Sequence, residues 1–417
     1  NSGDLEMRKK VFLALLMVLS VNEIGFTQTG QVLINSSAAD SAHASPYNLY
    51  GARYPRIEAD SRVTFRFNAP HAKKVQVSIA NIAFDMVKGD DGVWTYTSEP
   101  QDRGYHNYWM LVDSALVLDP ATDAFIGYGH MCNGFEIPDP DGGFYELKDV
   151  PHGAVLIENY FSKTTNSWRH IYVYTPPGYE ANTSRRYPVL YLQHGGGEDE
   201  RVWIEMGRTN VILDNLIAAG KAAPFIVVME TSAAYKPGEV PPRPPQPRPA
   251  GAGPGGQPTA DARPRMIFSF ETYKEVMIKD LIPFIDSHFR TLTEGKNRAM
   301  AGLSMGGMVT RTVTLANLDK FAYIGLFSGG SISIEDVNNT PGFKEKVKLV
   351  FVSYGSRELE NRAGGGRGPF GGDPKANTEA LHQAGINSVF YVSPLTAHEW
   401  QSWRRSLYEF APLLFKE

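Results

Sequence analysis

The sequence predicts two domains, a small all-β sandwich followed by an α/β domain built on a mostly parallel sheet. Three observations predict it. Residues 61–120 show short period-two alternation broken by Gly and Pro. From Pro151 onward, apolar strand-like runs alternate with helical stretches. A tight Gly-x-Ser-x-Gly turn then stands between one such run and a helix.

The chain begins with a distinct segment. Met7, Arg8, Lys9 and Lys10 precede an apolar stretch from Val11 to Val21, the charged and hydrophobic regions of a secretory signal peptide. That stretch is shorter than the roughly 20 residues a membrane-spanning helix needs. Residues 1–28 are therefore set aside as a leading extension and signal peptide, and the protein is expected to be secreted or periplasmic with no membrane anchor.

Residues 29–150 form the expected β-domain. Val63, Phe65 and Phe67, then Val75, Val77 and Ile79, then Trp94 and Tyr96, then Tyr108, Met110 and Val112 alternate as strands do. Asp90 to Gly92 signals a hairpin, and Asp119-Pro120 closes the last strand; the expected architecture is immunoglobulin-like.

Residues 151–417 form the expected α/β domain. Strands are expected at His170 to Tyr174, Tyr187 to Gln193, Phe225 to Met229, Arg298 to Ala301, Ile324 to Phe327, Lys348 to Ser353 and Val389 to Val392. Helices are expected near Val211 to Gly220, Tyr273 to His288, after Ser304, and over Gln401 to Phe415. Residues 236–265 are dense in Pro, Gly and Arg, so they read as a flexible insertion rather than core. Asn361 to Asp373 is glycine-rich in the same way.

Composition narrows the function classes. The 417 residues are 42% hydrophobic and 21% charged, which suits packed domains rather than a disordered or fibrous chain. A net charge of −4, from 41 basic and 45 acidic residues, disfavours nucleic acid and anionic membrane as partners. Cys132 is the single cysteine, so stability rests on the cores without an internal disulfide, and Cys132 reads as a buried structural thiol.

The chemistry concentrates in four places. Gly302-Leu303-Ser304-Met305-Gly306 is the only Gly-x-Ser-x-Gly match, and its strand-before, helix-after setting is that of a nucleophile elbow, with Ser304 as nucleophile. His194 to Gly197 follows an apolar strand and lacks the Lys and Ser/Thr of a phosphate-binding loop. It reads as an oxyanion loop, with the N–H groups of Gly196 and Met305 as paired donors contributing about 3 kcal/mol each. An α/β-hydrolase then needs an acid and a histidine, in that order. His398 follows a strand and precedes the last helix, whereas His382 lies in a helical stretch and reads as surface. Among the intervening carboxylates Glu358 stands just past a strand end, where α/β sites are built, with Glu360 as the alternative.

At these residues the chain resembles the putative esterase family, which includes feruloyl and acetylxylan esterases of carbohydrate esterase family 1 and enterochelin esterases. The resemblance rests on Gly-Leu-Ser-Met-Gly-Gly at 302–307, the His194 loop, and His398-Glu399-Trp400 with Trp403, Arg404 and Phe410. The N-terminal domain resembles the early-set, carbohydrate-binding family 48-like domain through Phe65, Ala69-Pro70, Gly92-Val93-Trp94, Tyr108 and Asp119-Pro120. The family often carries Asp where this chain has Glu358, and the 236–265 insertion is outside its usual pattern.

The resemblance implies an acyl-enzyme mechanism with no metal or organic cofactor. It also implies an apolar acyl pocket, for which Trp203, Phe268 and Trp400 are the candidate substrate-binding residues, core packing being the alternative for each. The leading expectation is a feruloyl esterase acting on arabinoxylan, with feruloylated or acetylated plant polysaccharide as partner; acetylxylan or siderophore-ester hydrolysis are the other enzymatic readings. A non-catalytic glycan binder gripping sugar through Trp94, Tyr105, Tyr108 or Trp109 is the competing class, and a structural or dimerising role for the β-domain stays open beside it.

Overall fold

The computed structural model describes residues 41–239, 270–362 and 372–416. The signal-peptide reading, most of the 236–265 insertion, most of the glycine-rich stretch and Phe268 lie outside the described residues.

The α/β domain is organised by one eight-stranded sheet. Its strands are β1 (Ala154–Ser162), β2 (Ser167–Thr175), β3 (Val189–Gln193), β4 (Ile226–Glu230), β5 (Arg298–Leu303), β6 (Tyr323–Phe327), β7 (Leu349–Gly355) and β8 (Ser388–Ser393). Their spatial order is β1-β2-β4-β3-β5-β6-β7-β8. From β4 to β8 all neighbours pair in parallel, while β1-β2 and β2-β4 are antiparallel. The parallel centre is buried on both faces, which is why β3, β4, β5, β6 and β7 read as continuous apolar runs.

Helices cover both faces. Leu190, Leu192, Ala299 and Phe351 pack with Leu213 and Leu216 of the helix Thr209–Ala218 and with Leu407 and Phe410 of the helix Trp400–Phe410. On the other face Val189, Tyr191 and Met300 meet Tyr273, Met277 and Ile285, which lie on a helical run from Glu271 to His288 interrupted by a π turn at Met277–Leu281. Val309 and Val313 of the helix Met305–Ala316 complete that layer.

Two expectations need correction. Strand β1 was not anticipated: it is an edge strand whose Ala-Val-Leu-Ile start gives way to Glu158 and Asn159 and whose alternate residues from Ile157 on face solvent. The β-domain also does not close at Asp119-Pro120: it continues through a hairpin of strands Ala124–Gly127 and His130–Ile137.

Among the described residues the β-domain is two antiparallel sheets, one of five strands and one of six, around a core of Val63, Phe65, Val77, Tyr108, Met110 and Phe135. Trp94, Tyr105, Tyr108 and Trp109 are all buried, so none presents a face for gripping sugar. Cys132 is a buried free thiol that accepts from Asn107 Nδ2 at 2.7 Å, and burial pushes its pKa up to about 12.

A buried ion pair joins the domains. Arg404, fully enclosed in the helix Trp400–Phe410, donates to both oxygens of Glu136 at 2.7 and 3.1 Å and to the Met206 carbonyl at 2.7 Å. Its guanidinium lies 4.5 Å from the centre of the Tyr145 ring. Each of the three guanidinium nitrogens thus donates to a partner, which is what lets the charge be buried.

Candidate active site

The C-terminal ends of adjacent parallel strands bring the expected residues together. Ser304 follows β5, Glu358 follows β7, His398 follows β8, and the His194 to Gly197 loop follows β3.

Ser304 sits at φ 50°, ψ −116°, a conformation costing on the order of 1–3 kcal/mol that surrounding contacts must hold. Its N–H donates to the Phe327 carbonyl at 2.8 Å, fixing the turn to the neighbouring strand. The flanking glycines are required by contact: a Cβ on Gly302 would stand 2.5 Å from the Gly306 backbone, and one on Gly306 would stand 2.5 Å from the His194 carbonyl. The same crossing therefore tightens the serine turn and seats it against the triglycine loop.

His398 Nε2 lies 2.9 Å from Ser304 Oγ, and its Nδ1 lies 2.8 Å from Glu358 Oε2. A carboxylate can only accept, so Nδ1 carries the proton and Nε2 is free to receive one from the serine hydroxyl. Burial raises the pKa of Glu358, but bonds from His398, from Ser328 Oγ at 2.6 Å and from the Gly355 N–H at 2.9 Å outweigh it and hold the carboxyl below its usual value. Trp403 Nε1 in turn donates to Ser328 Oγ at 3.2 Å, and its ring stands edge-on to His398 at 5.1 Å. Glu360, the alternative acid, is exposed.

The expected oxyanion loop is ordered by its own side chains. Ser232 N–H donates to His194 Nε2 at 3.1 Å, which leaves the proton on Nδ1 for the Gly195 carbonyl at 2.7 Å. Because the peptide is trans, a carbonyl drawn toward the His194 ring turns the Gly196 N–H the opposite way. Gly196 is exposed, and the nearest atom to its Cβ position is the Met305 Cβ at 3.9 Å. Met305 opens a helix, so its N–H has no intrahelical acceptor. The two expected donors are therefore neighbours beside Ser304.

The Glu198 carboxyl accepts the Gly195 N–H, on Oε2 at 2.8 Å, and a bond from the Trp400 side chain. Burial pushes its carboxyl up to about 8 in spite of these bonds.

The substrate-binding expectations for Trp203 and Trp400 are corrected. Both rings are buried, packed edge-to-face at 5.3 Å, and Trp203 Nε1 donates to the Gln193 carbonyl at 2.9 Å. They support the loops from beneath rather than facing a ligand. Sequence reasoning missed Ser328, Glu198 and the donor role of Trp403. Glu198 was adjacent to a recognised motif, but Ser328 had no local signal, since it acts only through the packing of β6 beside β7. Among the described residues no group of His, Cys, Asp and Glu is arranged to hold a metal ion.

This strand order and loop placement define an α/β-hydrolase with a serine at its elbow. Residues 162–353 match the family described as "Putative esterase". Over 382 residues it is 37% identical to the endo-1,4-beta-xylanase/feruloyl esterase of Xylanibacter ruminicola, a match covering 89% of this chain and 47% of that protein. Endo-1,4-beta-xylanase Y of Acetivibrio thermocellus is 26% identical over 304 residues, covering 67% of this chain and 24% of that protein. The chain thus spans less than half the length of these relatives. Among solved structures it shares its fold with a ferulic acid esterase from Anaeromyces mucronatus, at TM-score 0.50, 23% identity and coverage of 66% of this chain and 96% of that one. The enterobactin esterase of Shigella flexneri aligns at TM-score 0.56 and 15% identity, covering 85% of this chain and 92% of that one.

Proposed function

We propose that this protein is a serine esterase releasing hydroxycinnamoyl groups such as ferulate from plant cell-wall arabinoxylan, working outside the cytoplasm after export by its N-terminal segment. One observation carries the reading: the hydrogen-bonded series Ser304–His398–Glu358, at 2.9 and 2.8 Å, beside the glycine loop. The name of the Xylanibacter relative supports the acyl group and the glycan.

In this mechanism His398 Nε2 takes the Ser304 proton as Oγ attacks the ester carbonyl, and Glu358 stabilises the imidazolium that results. The carbonyl oxygen becomes an oxyanion held by the Gly196 and Met305 N–H groups. Collapse breaks the ester C–O bond, His398 returns the proton to the departing sugar hydroxyl, and a water activated by the same imidazole cleaves the acyl-enzyme.

The test compares wild type with Ser304→Ala on methyl ferulate, p-nitrophenyl acetate and feruloylated arabinoxylan. Turnover of all three should fall by several orders of magnitude in the variant. Near-normal rates without the hydroxyl would overturn the assignment, and faster turnover of acetylated than feruloylated xylan by the wild type would move the substrate to acetyl esters.

A further inference from the structure

The β-domain touches the glycine loop and the segments that adjoin Glu358 and His398. Gly129 N–H donates to the Gly197 carbonyl of the oxyanion loop at 2.9 Å, and a Cβ on Gly197 would stand 2.6 Å from that same nitrogen. Asp102 pairs with Arg357, next to Glu358. Asp139 accepts from Gln401 and from Arg405, at 3.1 Å for the latter, on the helix that follows His398.

The contact at Gly197 comes from the turn Tyr128–Gly129 between the hairpin strands, whose register ends at Gly127↔His130. Both turn residues have positive φ, 56° and 84°, the signature of a tight turn that favours Asn and Gly. Gly129 meets that requirement. Tyr128 does not, since a bulky residue in the left-handed region costs roughly 1–2 kcal/mol. The strained residue is also one of the few large side chains left open, at 45% exposure, while Trp109 beneath it is buried and holds the ring at 5.5 Å. The backbone carbonyl carbon of Tyr128 would stand 3.0 Å from a Cβ on Gly197, so the half-open side chain is placed beside the glycine loop, at the rim of the site. Burial, with Cys132, Glu198 and Glu399 as the charged or polar neighbours, pushes the phenol up to about 12.

We propose that Tyr128 is a substrate-contacting residue at the mouth of the site, stacking on the sugar to which the acyl group is esterified. The proposal rests on the esterase reading above. A polysaccharide chain stays outside while its terminal acyl appendage enters to meet Ser304, so a ring held at the rim meets the pentose rather than the acyl group. The flat C–H face of a pyranose or furanose packs on an aromatic face without requiring a charge. Local strain retained at an exposed aromatic is then part of the binding surface.

The test presents one acyl group in two forms, methyl ferulate and a soluble feruloylated arabino-oligosaccharide, to wild type, Tyr128→Asn and Tyr128→Phe. Asn suits the left-handed turn and preserves the hairpin; Phe keeps the ring. Tyr128→Asn should raise KM for the oligosaccharide ester about tenfold with kcat within about twofold, leave kcat/KM on methyl ferulate within about twofold, and be largely rescued by Phe. Equal losses on both esters would show the ring merely propping the oxyanion loop, and no change on either would show an inert turn; both overturn the proposal. If wild type cleaves neither ester, the esterase reading fails first and takes this one with it, a result separable because Tyr128 variants are then not needed to see it.

Discussion

The two sides of His398 are built differently. On the Nδ1 side Glu358 is buried and accepts from His398, Ser328 and Gly355, with Trp403 backing Ser328. On the Nε2 side the imidazole faces a single partner, Ser304 Oγ, and the His398 side chain is 48% exposed. The buried side has its hydrogen-bond partners in place before substrate arrives; the open side leaves room for an acyl group and a water. Orientation is thus supplied where the protein is dense, and chemistry takes place where it is not.

The contrast is broken most severely from the buried side. Glu358→Ala should lower kcat on methyl ferulate by about 10³–10⁴-fold, through loss of the imidazole tautomer and its stabilisation. It should also lower the melting temperature, because Ser328 and the Gly355 N–H lose a buried acceptor. Ser304→Ala, on the open side, should lose activity with the melting temperature unchanged. Equal thermal effects from the two variants would show that the sides are not differently built.

A second, smaller effect tests the anchor behind the buried side. Arg404→Met leaves Glu136 charged and enclosed, so chemical denaturation should report a loss of about 3–5 kcal/mol. Adding Glu136→Leu should recover part of it, while kcat of the folded enzyme stays near wild type. Failure of the double variant to recover any stability would mean that the pair contributes by packing alone.

The smallest effect is a pH dependence on the open side. Glu198 is held protonated up to about 8, against an ordinary value near 4.5 in the unfolded chain. The folded state therefore binds the extra proton, and this contribution to stability is complete below about pH 4.5 and lost as pH rises through 8. Glu198→Gln should flatten the fall in melting temperature between about pH 5 and 8. An unchanged profile would show that Glu198 titrates normally.

Much of this was legible in the sequence. Ser304, His398 and the glycine loop carry local signatures, since a tight turn and a strand-to-helix change restrict residue type within a few positions. Glu358 was distinguishable from Glu360 only as a position past a strand end; the neighbouring strand decided between them by supplying Ser328 as a partner. Trp203 and Trp400 had the composition of a ligand pocket and turned out to be core, because aromaticity alone does not say which way a ring faces.

The spacing of apolar residues and the identity of the turn glycines, properties of neighbours along the chain, determined the class of fold and the order of its chemical groups. What the chain alone could not decide is which distant groups share an environment. Glu136 with Arg404, Ser328 with Glu358 and Gly129 with Gly197 meet only when the sheet, helices and β-domain have packed. Desolvation and hydrogen bonding between residues far apart in sequence are fixed at that step, because both depend on the enclosing volume rather than on the local chain.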